Sequence, residues 1–188
     1  SKVLISHHHA DQTHGINDLR VFYLKNREKI PVFTNTITKK YLLNTFEYCF
    51  KKISSYPPTL KLNKIKNDMF FFNKKKKIFI KSIPVGHGEI KSLCFIINKK
   101  LAYASDINKI YKKDLRYFKN LKYLIIDCLR YDPHPSHYNL SEILSLIKVI
   151  KPQKTILTNM TADLDYVELK NRLPKNVEPA FDGLTLNL

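Results

Sequence analysis

Ser6-His7-His8-His9-Ala10-Asp11-Gln12-Thr13-His14-Gly15 constrains this chain more than any other stretch. Four of the seven histidines fall there, with a carboxylate among them. The apolar run Val3-Leu4-Ile5 just before it reads as a buried strand. Imidazole nitrogen and carboxylate oxygen are good ligands for zinc, manganese and iron. In an extended segment, side chains two residues apart point the same way. On that geometry His7, His9 and Asp11 converge on one point and His8 points elsewhere. A purification tag is usually longer and lies outside the fold, whereas this run sits between a strand pattern and a helix pattern.

A chain of 188 residues with 44% hydrophobic content suits one domain with a real core. No apolar run approaches a membrane span and no charged-then-apolar leader opens the chain, so a soluble, cytoplasmic protein is expected. Cys49, Cys94 and Cys128 are odd in number, widely spaced and in apolar contexts. They read as buried free thiols rather than a disulfide frame or a zinc knuckle. The formal net charge of +17 has two open readings. It is either a surface for phosphates, nucleic acid or anionic lipid, or the lysine-rich product of an A- and T-rich genome. The run Lys74-Lys75-Lys76-Lys77 reads as a solvated hairpin turn. The chain opens on Ser rather than Met, with a strand almost at once, which suggests a cut chain or one that starts inside a larger domain.

Periodicity predicts a helix or helical turn over 15–26, a strand over 30–33 and a helix over 36–50 capped by Thr36 or Thr38. Residues 54–68, with Pro57-Pro58, read as mostly loop. Strands are expected over 77–85, 91–98, 101–105, 123–127, 154–158 and 183–188, and helices over 139–150 and 164–173. Neighbouring strands followed by alternating strands and helices fit layered α/β packing with two sheets or a bent one.

Several of these strands end on residues that an apolar strand does not need. Gly86-His87-Gly88 closes one, Asp106 another and Asn159 a third; the strand 123–127 leads into Tyr131-Asp132-Pro133-His134-Pro135-Ser136-His137. In open α/β architectures ligands bind beyond the carboxyl ends of strands, and glycine lets backbone approach a ligand closely.

These residues, in this order, resemble the metallo-β-lactamase fold. His7-x-His9-Ala10-Asp11 is similar to its Thr-His-x-His-x-Asp-His signature. His14-Gly15-Ile16-Asn17-Asp18-Leu19-Arg20, His87-Gly88, Ala102-Tyr103-Ala104-Ser105-Asp106, Asp127-Cys128-Leu129-Arg130-Tyr131 and Val177-Glu178-Pro179-Ala180-Phe181-Asp182-Gly183-Leu184 carry the likeness on. More narrowly, the chain resembles the phosphoribosyl cyclic phosphate phosphodiesterase branch. The resemblance implies an α/β fold, an αββα sandwich, here without the family's first strands, as a single domain over 1–188. It implies a metal centre with His7, His9 and His87 on the first metal and Asp106 as the bridge. Asp11 would ligate the second metal and orient the attacking water. His134, Ser136 and His137 would lie near the substrate phosphate, with His137 as proton donor to the leaving oxygen.

Two second-metal histidines are replaced by Gln12 and Asn159. A carboxamide is a weak, neutral donor, so one tight zinc or manganese is expected, with the second site weak or empty. The function implied is hydrolysis of a small phosphodiester, cyclic or nucleotide-like. The alternatives are an impaired relative that binds phosphate without turnover, and an RNA-processing or RNA-binding protein on the same fold. RNA as a partner and a homodimer are both left open, and no membrane partner is expected.

Overall fold

The computed structural model describes residues 1–73 and 76–188; Lys74 and Lys75 of the expected lysine turn lie outside the described residues. The chain divides into two compact units, 1–66 and 67–188.

The first unit holds a three-stranded sheet of β1 (Val3–Leu4), β2 (Ile30–Thr34) and β3 (Leu60–Lys64), paired in that order and all parallel. Parallel neighbours need crossovers. Between β1 and β2 the crossover is α1 (Ala10–Thr13), a 3-10 helix (His14–Leu19) and α2 (Arg20–Asn26). Between β2 and β3 it is α3 (Thr36–Thr45) and α4 (Glu47–Phe50). Ile5, Ile16, Ile30, Val32, Leu42, Cys49 and Leu60 form the core of this unit.

Three expectations need correction here. The segment after β1 is extended only as far as His9, and Asp11 already lies in the first turn of α1, so two-residue alternation does not govern its direction. The helix expected over 36–50 breaks at Phe46 (φ −126°, ψ 38°), and its cap is Asn35, whose side chain accepts from the Thr38 amide at 2.8 Å. The stretch read as loop contains β3, whose polar Lys61, Asn63 and Lys64 hide a strand defined by its partner β2.

The second unit is a seven-stranded sheet. Its strands are β4 (Asp68–Asn73), β5 (Lys76–His87), β6 (Ile90–Ile97), β7 (Leu101–Ala104), β8 (Tyr123–Asp127), β9 (Lys154–Thr158) and β10 (Val177–Pro179). They lie in the order β10-β9-β8-β7-β6-β5-β4. The pairs β4–β5, β5–β6 and β6–β7 are antiparallel; β7 to β10 are parallel. The helix α5 (Leu140–Ile150) buries Ile143, Ile147 and Ile150 at i, i+4 and i+7. It starts on a capping box, with Asn139 accepting from the Glu142 amide and Glu142 accepting from the Asn139 amide. The shorter α6 (Tyr166–Arg172) begins at Asp165, whose side chain accepts from the Glu168 amide. The strand expected over 183–188 does not form: the alternation Leu184, Leu186, Leu188 has no partner strand among the described residues, and the last strand there is β10. All three cysteines are buried and free. No helix among the described residues is long and apolar enough to cross a membrane.

Candidate metal centre

Strands β5, β7, β8 and β9 run in one direction, so their carboxyl ends share one edge of the seven-stranded sheet. That edge carries His87, Asp106, Asp127 and Asn159. Ligating atoms of His87, Asp106 and His137 lie within 4.8 Å of one another.

His87 is the most tightly held of them. It is 2% exposed, and its Nδ1 is 2.7 Å from the Ser136 carbonyl oxygen. A carbonyl only accepts, so Nδ1 carries a proton, and in the neutral ring Nε2 keeps its lone pair. That Nε2 is 4.0 Å from Asp106 Oδ1. The flanking glycines make the placement sterically feasible. A Cβ on Gly86 would stand 2.9 Å from Lys109 Cβ, and one on Gly88, at φ +58°, would stand 2.9 Å from Ser136 Cβ. The two approaching loops are tied together by Asn108, whose side chain donates to the Pro135 carbonyl.

Asp106 is 3% exposed, and its Oδ2 is buried with no hydrogen-bond partner among the described residues. An unsatisfied buried carboxylate oxygen is costly. A lone-pair imidazole nitrogen beside it makes a hard-and-borderline donor set that fits zinc or manganese.

His137 is set by Asp127, the last residue of β8. Asp127 is fully buried, and its Oδ2 accepts from His137 Nδ1 at 2.6 Å and from the Ile107 amide at 3.2 Å. Its Oδ1 accepts from Asn159 Nδ2 at 3.1 Å. Burial pushes the Asp127 carboxyl above its ordinary range, against the lowering pull of His137, Ile107 and Asn159. With Nδ1 engaged by the carboxylate, Nε2 is the other ring nitrogen of His137, whose ring centroid lies 4.7 Å from that of His87. His134 packs on His137 with ring centroids 5.0 Å apart. Its pKa is held below the usual value by burial first, then by His137 and Arg130. Ser136 donates its amide to His134 Nδ1 at 3.3 Å.

In the first unit, His7 is fully buried and His9 is exposed, with ring centroids 4.5 Å apart. Gln12 Nε2 donates to Asp11 Oδ2 at 3.0 Å, and Ser6 Oγ donates to Gln12 Oε1 at 3.4 Å. Ser6 Oγ is also 3.0 Å from His7 Nδ1. A carboxylate only accepts, so the run has one direction: His7 Nδ1–H to Ser6, Ser6 to Gln12, Gln12 to Asp11. In the neutral ring, Nε2 of His7 is then the lone-pair nitrogen. Burial acts to raise the Asp11 pKa, but the Gln12 bond, the local backbone, His7 and His9 together hold it below 3.8. His8 turns to Tyr41, with ring centroids 5.6 Å apart.

Sequence reasoning gave Ser6 and Asp127 no role. A carboxylate closing the apolar run Tyr123-Leu124-Ile125-Ile126, with a histidine ten residues on, is the signal that could have found Asp127. Gln12 and Asn159, where the resemblance places ligand histidines, are both committed to carboxylates, Asp11 and Asp127.

Comparison with known proteins gives this edge its family. An octanoyltransferase of Porphyromonas gingivalis (strain ATCC BAA-308 / W83) is 27% identical over 187 residues, 97% of this chain. The chain spans only 37% of the length of that relative. The crystal structure of a diphosphatase from the PhnP family is 25% identical, with a TM-score of 0.85, covering 97% of this chain and 68% of the other. The Zn(2+)-bound PqqB of Methylobacterium extorquens shares the fold at 14% identity and a TM-score of 0.71, covering 100% of this chain and 73% of the other. The family model described as beta-lactamase superfamily domain matches residues 1–160, and the chain therefore belongs to the beta-lactamase superfamily, with its likeness to the PhnP family the more specific one.

Proposed function

We propose that the chain is a metal-dependent hydrolase of a small phosphodiester, cyclic or nucleotide-like, acting in the cytoplasm as one catalytic domain. The observation that carries this reading is Asp106 Oδ2, buried without a hydrogen-bond partner among the described residues, on a carboxylate whose other oxygen is 4.0 Å from His87 Nε2. His7, His9, His87 and Asp106 would hold one zinc or manganese ion, as the family resemblance implies, with Asp11 near the attacking water. Bound there, such a cation supplies Lewis acidity and makes water nucleophilic near neutral pH. Around it, His87 is fixed by Ser136 and His137 by Asp127. His137 Nε2 is the candidate proton donor to the leaving oxygen, and Asp127 stabilises the protonated ring. The diphosphatase likeness supports phosphate as the substrate group. Three free, buried thiols support a reducing compartment.

The test is metal content per chain together with hydrolysis of bis-nitrophenyl phosphate with added manganese. One metal per chain and metal-dependent hydrolysis are expected, with both lost in His87→Ala. Unchanged metal content in that variant refutes the ligand set. A second reading, a relative that binds phosphate without turnover, is favoured by the engagement of Gln12 and Asn159 with carboxylates. Metal uptake and phosphate binding without hydrolysis would select it.

A further inference from the structure

The far end of the seven-stranded sheet carries a second feature that the metal edge does not use. Along the β4–β5 hairpin, residues of one face pair as Phe72 with Lys77, Phe70 with Phe79 and Asp68 with Lys81. Side chains two apart share a face, so aromatic and cationic groups alternate along it. Phe70 and Phe72 are 52% and 67% exposed. Large exposed aromatics on an edge strand are a liability unless something covers them.

This face opens into a cavity of about 750 Å³, reached from β4, β5, β6 and the turn around Arg116 and Tyr117. A second cavity of about 330 Å³ shares Lys81 and Tyr117 with it and continues toward Lys91, Tyr111 and Lys113. Six cations, Lys81, Lys91, Lys99, Lys113, Arg116 and Lys119, line the pair. Among the described residues the carboxylates there are Asp68, already paired with Lys81, and Asp114. Four of these cations sit against rings, as does Lys77 on the hairpin. Lys77 Nζ is 4.0 Å from the Phe70 centroid, and Lys81 and Arg116 are each 4.8 Å from the Tyr117 centroid. Lys99 is 5.9 Å from the Phe79 centroid, and Lys91 is 6.0 Å from that of Tyr111.

From this arrangement we propose that the groove binds single-stranded nucleic acid, with bases on Phe70, Phe79 and Tyr117 and phosphates on the adjoining cations. Stacking platforms beside a positive groove are the physical requirement for such binding. Successive pairs along the strands are about 7 Å apart, two residues at ~3.4 Å, a spacing suited to an extended nucleotide backbone. A duplex hides its base faces, and a base-free polyanion has none, so neither uses the rings. The overall charge alone would attract any polyanion; the ring–cation alternation is what selects an unpaired strand. The groove is also separate from the metal edge. Phe79 and His87 lie eight residues apart on one strand, roughly 27 Å.

The experiment is fluorescence anisotropy of labelled oligouridine and oligothymidine of about 12 nucleotides with the whole chain, with and without chelator. Duplex DNA, heparin and polyglutamate serve as competitors. Binding is expected at low salt, equal in chelated protein and in His87→Ala, and stronger for a single strand than for duplex. Phe70→Leu keeps an apolar side chain on the surface but removes the π face. It should weaken binding about five-fold or more with an unchanged thermal midpoint. Lys99→Gln and Arg116→Gln should each lower the slope of log affinity against log salt by about 1. Equal competition by heparin, polyglutamate or duplex, or an unchanged affinity in Phe70→Leu, overturns the proposal. Absence of hydrolysis in the metal-supplied wild type, with strand binding intact, would count against the metal reading alone.

Discussion

Replacing Asp127 separates a buried acceptor from a buried charge. Its Oδ2 accepts from both the Ile107 amide and His137, while Oδ1 accepts only from Asn159, which is exposed. In Asp127→Ala the Ile107 amide is left buried without an acceptor, at roughly 1–3 kcal/mol. His137, 15% exposed, loses its acceptor at about 1–2 kcal/mol, and water replaces the acceptor of Asn159 at little cost. Relief of the carboxylate's own burial offsets part of this, and about 3 kcal/mol of destabilisation remains. In Asp127→Asn the amide oxygen can take the place of Oδ2 and keep both buried donors satisfied. Its NH2 then faces Asn159, which can turn its own amide, so the loss should stay below ~1 kcal/mol. Urea denaturation of the metal-free protein reads this directly. At an m value near ~2 kcal/mol/M, the midpoint should fall by ~1.5 M for Ala and by less than ~0.5 M for Asn. Equal shifts in the two variants would refute the hydrogen-bond assignment. The pH dependence follows from the raised carboxyl. A folded-state pKa above 3.8 favours the protonated form in the fold. That contribution is complete below pH 3.8 and is lost as pH rises through the folded-state value. The wild type's advantage over Asp127→Asn should therefore narrow across that window, and a widening would contradict the direction.

Other outcomes follow from single contacts. Gly88→Ala meets both a positive φ and a 2.9 Å approach to Ser136 Cβ. It should cost about 1–2 kcal/mol and reduce metal content by disturbing the His87–Ser136 bond, both measurable on the purified variant. Cys94 and Cys128 are buried, which raises both thiols, Cys128 to about 12. Neither should react with iodoacetamide at neutral pH until denaturant is added, as mass spectrometry would show. Asn159→His restores an imidazole at a position with φ 61°, which histidine tolerates better than most residues. Metal analysis should show content rising above that of the wild type; unchanged stoichiometry would mean that residue 159 does not face the second site.

Where the sequence was legible, one physical cause dominated. Tyr123–Asp127 is a short apolar run and Lys154–Thr158 is rich in β-branched residues, both read as interior strands, and α5 combined a 3.6-residue stripe with its own cap. The polar residues at strand ends stood out because nothing in a strand's packing asks for them. Legibility failed where partners decide the outcome. Leu60–Lys64 is a strand because β2 offers it hydrogen bonds, whereas Gly183–Leu188 alternates well and pairs with no strand among the described residues. The split at Phe46 is a local backbone departure that helical periodicity does not register. Single polar residues of each unit were visible as residue types, but not their hydrogen bonds. That Gln12 joins Ser6 to Asp11, or that Asp127 steers His137, depends on side-chain directions that no spacing rule supplies.

Asn159 sits on a left-handed backbone, which Arg27, Lys99 and Lys151 also adopt, and in which glycine, asparagine, aspartate and histidine are the enriched residue types. Histidine and asparagine codons differ by a single base. A lineage could thus exchange one for the other without rebuilding the turn, trading cation affinity for a fixed carboxylate in one mutational step. Such a position works as a hinge for divergence, because the main chain favours residues whose chemistries differ sharply.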